Sequence, residues 1–188
     1  TLPEVAKSIG INLMLRSSWM QQRVTSTHVT GMDGDENKAR ELLAFYESMA
    51  DIHNAVVLEL GPGKTLETLQ FARERGAKYV IAADITAYHT RESAHQRGVD
   101  YRLFDGRTLP VPDQSVDVVW ACYCMQHFRD PEAMLREIHR VLRPGGAFLV
   151  YQFSARARDY MARHFKRIDA GFELLNVLPC KLYWGWKD

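Results

Sequence analysis

The sequence predicts an α/β fold with a doubly wound sheet of seven strands, mostly parallel, with an antiparallel C-terminal hairpin strand and helices on both faces. Two observations predict it. From residue 55 onward, short apolar runs alternate with amphipathic stretches, which is the rhythm of strand–helix–strand units. The first apolar run, residues 55–60, is continuous and ends in a glycine turn, as expected of a strand buried on both faces. We therefore expect a ligand site beyond the carboxyl ends of the strands, where the strand order reverses.

Each element has its own signal. Leu42, Leu43 and Tyr46 share one face of the first well-marked helix and are expected to enter the core. The next helix ends at Gly76, a frequent stop signal, and a later one has Pro131 near its start. Helices are expected at residues 33–51, 65–76, 88–98, 131–146 and 156–167. Strands are expected at residues 55–60, 78–84, 100–106, 115–123, 147–153, 172–178 and 181–186.

Composition limits the functions that the chain can have. Its 188 residues, 46% hydrophobic and 25% charged, suffice for one well-buried core, so residues 1–188 are expected to form a single domain. A net charge of +1 argues against a large nucleic-acid surface, and no run reaches the ~18 apolar residues of a membrane span. The start of the chain has no signal-peptide core. The three cysteines have no metal-binding spacing, so we expect no metal, and reduced thiols in a cytoplasmic protein.

The turn after the first strand, Gly61-Pro62-Gly63-Lys64-Thr65, admits three interpretations. A P-loop needs a glycine where the chain has Leu58, and the nearby Glu59 would repel phosphates. A dinucleotide-binding turn needs its third glycine where the chain has Leu66. A positively charged cofactor without phosphate suits Glu59, and the two glycines let it approach the backbone closely. We favour this third interpretation.

An acidic residue before spaced glycines, followed downstream by "SVDVVWACYCMQHF" and "DPEAMLREIHRVLRPGG", makes residues 50–188 similar to the class I S-adenosylmethionine-dependent methyltransferases. The resemblance is to their small-molecule, type 11-like branch. It implies a Rossmann-like sheet, S-adenosyl-L-methionine as cofactor and S-adenosyl-L-homocysteine as product. It also implies a helical cap or acceptor-pocket segment over residues 1–50 and a cofactor-binding core over 51–188. Thr65 departs from the family's third glycine and is expected to cap the following helix.

The resemblance also implies which residues bind the cofactor. Asp84, 21 residues after Gly63, is expected to bond the ribose hydroxyls, although nicotinamide enzymes share this spacing. Ile85 is expected to pack on the adenine. Asp105 is expected to cap the adenine amino group, with an Asx-turn role as the alternative. The whole set comprises Glu59, Gly61, Pro62, Gly63, Asp84, Ile85, Asp105, Gly106, Ala121 and Cys122.

Catalysis by such an enzyme consists mainly of holding the acceptor atom in line with the methyl group, and a base is needed only if the acceptor loses a proton. His127, after the fourth strand, has a suitable intrinsic pKa and is the candidate base, with a structural histidine as the alternative. Tyr123 either orients the acceptor or belongs to the core. No motif indicates an oligomeric state.

Several functions remain open at this point. We favour methyl transfer to a small molecule, with oxygen as the acceptor atom. The alternatives are methylation of a protein, peptide or RNA, and a cofactor-binding protein without transferase activity. DNA methylation is not expected, because the position after the fourth strand lacks the Asn/Asp-Pro-Pro-aromatic and Pro-Cys motifs of that class. A basic cluster in the helix after strand five is either a solvated face or an attractor of anionic acceptors; it comprises Arg156, Arg158, Arg163, Lys166 and Arg167.

Overall fold

The computed structural model describes residues 36–122, 124–125, 128–152, 156–173 and 180–188. Its helices are α1 (Glu36–Glu47), α2 (Glu67–Glu74), α3 (Arg91–Gln96), α4 (Pro131–Val141) and α5 (Arg156–Met161). Its strands are β1 (Val56–Leu60), β2 (Tyr79–Asp84), β3 (Asp100–Leu103), β4 (Val116–Cys122), β5 (Leu142–Gln152), β6 (Arg167–Glu173) and β7 (Cys180–Trp186). The expectations for residues 1–35 lie outside the described residues.

All seven strands form one sheet, in the order β3-β2-β1-β4-β5-β7-β6. The pairs β2–β3, β1–β2, β1–β4 and β4–β5 are parallel, whereas β7 runs antiparallel to both β5 and β6. The predicted fold class is therefore confirmed. Strand order reverses between β1 and β4, so the crevice beyond their carboxyl ends is the expected ligand site.

Strand residues alternate between two cores, one on each face of the sheet. On β1, Val57 joins a core covered by α1, α2 and α3, while its neighbour Leu58 joins a second core covered by α4 and α5. Helix α1 buries Leu42, Leu43 and Tyr46 in the first core, as its sequence pattern predicts. Both faces of β1 are thus buried, which explains its continuous apolar sequence.

The helix after the glycine turn begins later than expected. Lys64 and Thr65 precede it, and Leu66 occupies the N-cap position with no side-chain cap hydrogen bond. Thr65, which was expected at the cap, therefore lies one residue before the N-cap position. Gly63 has a φ of +73° and is tied to another strand, so the chain completes a turn before it adopts helical dihedrals.

The C-terminal region also differs from expectation. The helix expected over 156–167 ends at Met161, and β6 begins at Arg167 instead of Phe172. Long-range pairing decides this boundary, because residues 167–173 pair with β7 along their whole length. The remainder of the strand expected at 172–178 lies outside the described residues.

Candidate cofactor and active site

The glycine turn continues β1 at the switch point of the sheet. Gly61 has a φ of +64°, and its N–H donates to the carbonyl oxygen of Ala83 over 2.8 Å. A Cβ atom at position 61 would lie 2.9 Å from the Cβ of Cys124, so only glycine fits between the turn and the segment after β4. Pro62 is buried beside it. This turn therefore lies against the end of β4, as a site at the switch point requires.

Asp84, the last residue of β2, links two loops of the site. One carboxylate oxygen, Oδ2, accepts from the N–H of Gly63 at 3.0 Å, and Oδ1 accepts from the N–H of Thr86 at 2.9 Å. The side chain is buried, and burial raises its pKa although the two N–H groups act in the opposite direction. Asp84 thus holds both the glycine turn and the loop that follows its own strand.

Tyr101 on β3, which was not predicted as a site residue, holds the loop after β2 through hydrogen bonds to its backbone. The Tyr101 hydroxyl donates to the carbonyl oxygen of Thr86 at 2.6 Å and accepts from the N–H of Tyr88 at 3.3 Å. The ring of His89 packs edge-on against Tyr101, with centroids 5.4 Å apart. A buried tyrosine on a strand needs a partner for its hydroxyl, and that need was the available signal in the sequence.

An apolar slot lies beside Asp84, formed by the ends of β2 and β3. Ile85 is 47% exposed and Leu103 is 51% exposed, unusual values for large apolar side chains at strand ends. Gly106 has a φ of +77°, and a Cβ there would lie 3.4 Å from Cγ2 of Ile85. The structure brings Ile85 and Gly106 together, and their expected contacts with adenine stay a prediction.

Asp105 has the alternative role considered for it. Its Oδ1 atom accepts hydrogen bonds from the N–H groups of Arg107 and Thr108, at 2.8 and 3.0 Å, and these bonds lower its pKa. This is an Asx-type turn that shapes the loop carrying Gly106. Because Oδ1 is used within the turn, Oδ2 is the oxygen that remains for a ligand.

Glu59 is a buried carboxyl group on β1. It is 5% exposed, and it lies beside Ala82 of β2 and Trp120 of β4 in the strand registers. Burial raises its pKa to about 8, with further contributions from the charges of Asp84 and Glu67, whereas the indole of Trp120 lowers it. None of the ion pairs formed by the described residues includes Glu59. The site thus contains an acidic group with no cationic partner in the described part of the chain.

The carboxyl end of β4 completes the site. Ala121 is buried and lies in register with Leu60, directly beside the start of the glycine turn. Cys122 ends the strand, and Cys124 follows it; burial raises the pKa of the Cys124 thiol, and Cys122 adds to the rise. Tyr123 and His127 lie outside the described residues, so the catalytic expectation for His127 stays a prediction.

A fully buried aromatic pair, also missed by the sequence analysis, lies next to Glu59. The rings of Tyr46 on α1 and Trp120 on β4 stack with centroids 4.7 Å apart and an interplanar angle of 13°. Both side chains are 0% exposed. The helical pattern placed Tyr46 in the core, but no sequence signal paired it with β4.

The loop between β3 and β4 is fastened to α4 by one arginine. The guanidinium of Arg140 donates to the carbonyl oxygens of Leu109 and Val111, each at 3.0 Å, and to the carboxylate of Glu137 at 2.7 Å. Glu137 in turn accepts from the N–H of Leu109 at 2.9 Å. This clamp sets the path of the loop that begins with Asp105.

The basic cluster is different from the continuous helical face that was expected. Arg167 belongs to β6, and its guanidinium pairs with Asp169. Arg163 pairs with Glu132, and Lys166 pairs with Asp188. Three of the five basic groups thus have acidic partners, which reduces the attraction that this surface has for anions.

The comparisons with known proteins agree with this geometry. The Methyltransferase domain family matches residues 58–150. The chain belongs to the class I S-adenosylmethionine-dependent methyltransferase superfamily. The predicted family, enzyme class and cofactor are thereby confirmed for this methyltransferase domain.

Among curated relatives, a ubiquinone/menaquinone biosynthesis C-methyltransferase of Vibrio vulnificus is 34% identical over 115 residues, covering 57% of this chain and 44% of the relative. A malonyl-[acyl-carrier protein] O-methyltransferase of Yersinia pestis is 36% identical over 126 residues, covering 66% and 46%. The methyltransferase domain therefore spans about half the length of the curated relatives that it matches.

Solved structures show the same fold. A Burkholderia thailandensis 1,6-didemethyltoxoflavin-N1-methyltransferase, with its substrate and S-adenosylhomocysteine bound, has a TM-score of 0.68 at 21% identity, covering 81% of this chain and 79% of that one. A methyltransferase from Aquifex aeolicus has a TM-score of 0.61 at 16% identity, covering 80% and 97%. At these identities the likeness supports the fold alone.

Proposed function

We propose that this domain transfers a methyl group from S-adenosylmethionine to a small-molecule acceptor and releases S-adenosylhomocysteine. The observation that carries the proposal is the set of buried acids around the glycine turn. Glu59 and Asp84 both flank this turn, and a cofactor with sulfonium and ammonium charges satisfies them where a phosphate would be repelled. When bound, the cofactor supplies a methyl group on a good leaving group.

Asp84 is proposed to hold the ribose. Each of its oxygens already accepts one backbone N–H, and each keeps a lone pair that can accept a ribose hydroxyl. The two N–H bonds fix the carboxylate, so it loses little freedom on binding. The adenine is proposed to lie on Ile85, with the Gly106 backbone approaching it and Asp105 Oδ2 near its amino group.

Glu59 is proposed to face the positively charged methionine end, which Gly61, Pro62 and Gly63 approach through the backbone. Ala121 and Cys122 border this end from β4, because Ala121 lies beside Leu60 in the sheet. In these roles the chain binds and orients the cofactor and directs the sulfonium toward the acceptor. Residues 51–188 then form the cofactor-binding core.

Oxygen is the acceptor atom that we propose. Of the two curated relatives described above, the O-methyltransferase has the higher identity and the larger matched share of this chain. His127 is proposed to remove the acceptor's proton where one must be lost. Residues 1–50 are proposed to line the acceptor pocket. In support, Tyr46 on α1 stacks on Trp120, which is the strand neighbour of Glu59.

A cytoplasmic location is part of this proposal. Neither Cys122 nor Cys124 forms a disulfide with a described residue, and reduced thiols are usual in a reducing compartment. Within the described ranges, no helix has the length and apolarity to cross a bilayer.

The described residues also contain no group of three or more His, Cys, Asp or Glu side chains arranged to hold a metal ion.

Two experiments test the proposed function in sequence. Calorimetry with S-adenosylmethionine, S-adenosylhomocysteine and NAD should show binding of the first two only; binding of NAD alone would overturn the cofactor assignment. Transfer is then assayed with ¹³C-methyl-labelled cofactor and two acceptor sets, carboxylic acids with their acyl thioesters and phenols with quinols. The product's NMR spectrum distinguishes O–CH₃ from C–CH₃, and a C–CH₃ signal would refute the oxygen proposal. Cofactor binding without any turnover would favour a passive binding protein.

A further inference from the structure

Two buried polar atoms beside Glu59 have no hydrogen-bond partner among the described residues. They are the hydroxyl oxygen of Tyr46 and the indole nitrogen Nε1 of Trp120. Both side chains are 0% exposed, so water does not reach them from the surface. Buried polar groups are nearly always paired, and two unpaired donors next to each other call for a physical explanation.

One donor lies on the strand neighbour of Glu59, and the other lies on the ring stacked against that neighbour. Trp120 and Glu59 are aligned across the β4–β1 pair, and the Trp120 indole favours the charged form of Glu59, although it does not reach hydrogen-bond geometry. Tyr46 stacks on Trp120 at 4.7 Å. Burial raises the pKa of the Tyr46 hydroxyl most, and the charge of Glu59 adds to the rise. The three groups therefore form a cluster between α1, β1 and β4.

The groups that face Glu59 from the surrounding elements are acidic or neutral. Asp84 at the end of β2 and Glu67 on α2 raise its pKa, and burial does so most. Glu67 lies 3.7 Å from Arg97. Burial raises the pKa of Asp84 most, whereas its backbone hydrogen bonds and the charge of His89 lower it. Cys122 and Cys124 lie near Tyr46 and raise its pKa. Among the described residues, the Trp120 indole is the group that lowers the pKa of Glu59, and the unpaired Tyr46 hydroxyl belongs to the ring stacked on that indole.

An ionised Glu59 would be stabilised by hydrogen bonds from the O–H of Tyr46 and the N–H of Trp120. A carboxylate accepts from several donors, and hydrogen bonds to a charged acceptor are shorter and stronger than those to a neutral one. Binding geometry often tightens only when the ligand arrives. A cation at the glycine turn would favour the carboxylate form of Glu59, and that form would then draw in the O–H and N–H.

We propose that Tyr46 and Trp120 are positioning residues for Glu59, and that their O–H and N–H hold its carboxylate toward the ammonium group at the amino-acid end of the cofactor. The inference rests on the proposed role of Glu59 in cofactor binding. It gives α1 a part in that binding, because Tyr46 is its contribution to the cluster.

The test uses two ligands that differ only in the relevant part. S-Adenosylhomocysteine carries the amino-acid end, whereas 5′-methylthioadenosine keeps the adenosine thioether and lacks that end. Tyr46→Phe and Trp120→Phe are each expected to weaken S-adenosylhomocysteine binding roughly 5- to 20-fold and to leave 5′-methylthioadenosine within about 2-fold. Tyr79→Phe removes an exposed hydroxyl at the start of β2 that donates to Asp100; it is the control and should change neither affinity.

A second readout separates positioning from packing. Loss of either donor disfavours the Glu59 carboxylate, so the pH midpoint of S-adenosylhomocysteine binding should move upward in both variants. Tyr46→Phe keeps the stacked ring, so this variant alone distinguishes positioning from packing if Trp120→Phe does not fold. Equal weakening of both ligands, or an unchanged midpoint, would show a packing role and overturn the inference. Wild-type protein that binds neither ligand would instead overturn the cofactor function itself.

Discussion

The carboxylate of Asp84 accepts a hydrogen bond from the backbone N–H of Gly63 at 3.0 Å, joining the end of β2 to the turn after β1. The same carboxylate also accepts from Thr86. A residue expected to bind ribose thus also builds the loops around it. This arrangement explains why a strand-end acid and a glycine turn 21 residues apart belong to one site.

Replacing Asp84 by asparagine tests this double role. The amide keeps one acceptor oxygen, but its NH₂ group would face one of the two backbone N–H donors. We expect cofactor affinity to fall by ~1.5–3 kcal/mol, the range for hydrogen bonds to charged groups, and stability to fall as well. Calorimetry and thermal unfolding measure the two effects. Asp100→Asn, at the start of β3, is the control for affinity; unchanged S-adenosylhomocysteine binding in Asp84→Asn would remove the ribose assignment.

Two glycines with similar backbone strain test whether adenine binds in the apolar slot beside Ile85. Gly106 and Gly98 have nearly equal positive φ values, +77° and +74°. Alanine at either position should cost ~1–2 kcal/mol of stability for the left-handed conformation. A Cβ at 106 would lie 3.4 Å from Ile85, whereas nothing lies within 4 Å of a Cβ at 98. Only Gly106→Ala should therefore weaken S-adenosylhomocysteine binding, and equal affinities of the two variants would argue against adenine in this slot.

The sheet and the acid at the end of β2 could be predicted because their causes are local. Continuous apolar runs, a glycine turn and amphipathic spacing fix the strands and their sequence order, and a carboxylate at a strand end follows from reading that order. The start of α2 could not be predicted in this way. The bond from Gly63 to Asp84 keeps residues 63–64 in a turn, and that bond exists only in the folded sheet.

The same distinction accounts for the other differences. The helix expected over 156–167 includes Arg167, whereas pairing with β7 makes residues 167–173 a strand. Tyr101 and Tyr46 each look like core residues in sequence; their polar roles depend on Thr86 and on Trp120, which are distant in the chain. The turn bonds of Asp105 match one of the two expectations for it, and its role at the adenine amino group stays a prediction.

Arg140 offers a prediction about the loop that carries the adenine segment. Lysine cannot reproduce the fork that reaches Leu109, Val111 and Glu137 together, so Arg140→Lys should lower stability by ~1–3 kcal/mol. The backbone N–H of Leu109 donates a hydrogen bond to Glu137, and its rate of hydrogen exchange should rise in this variant. Arg163→Lys is the control: the Arg163 side chain is 62% exposed and lysine keeps a positive charge beside Glu132, so stability should change by less than ~0.5 kcal/mol. Equal effects in the two variants would show that the clamp does not hold the loop.

Glu59 gives the fold a pH dependence of defined sign. Its pKa is about 8 in the folded protein, against 4.5 for an ordinary glutamate, so between these values the folded state holds the proton more tightly than the unfolded state. The contribution of Glu59 to the free energy of unfolding is then largest below pH ~4.5. It falls as pH rises toward 8, with a limiting slope of ~1.4 kcal/mol per pH unit. Urea unfolding at intervals from pH 5.5 to 8.5 should show this fall, and Glu59→Gln should flatten it.

Glu137 provides the matched opposite case for that measurement. Its pKa is lowered, first by the side-chain hydrogen bond from Arg140, so its contribution is present above the unfolded pKa and is lost as pH falls. Glu137→Gln should therefore reduce stability at neutral pH and leave the decline toward pH 8.5 intact. A cationic ligand at the glycine turn should offset that decline in wild type, because it favours the Glu59 carboxylate, and it should do so less in Glu59→Gln. A decline that persists unchanged in Glu59→Gln would mean that another group titrates in this range and that Glu59 is not the buried acid that responds to the cofactor.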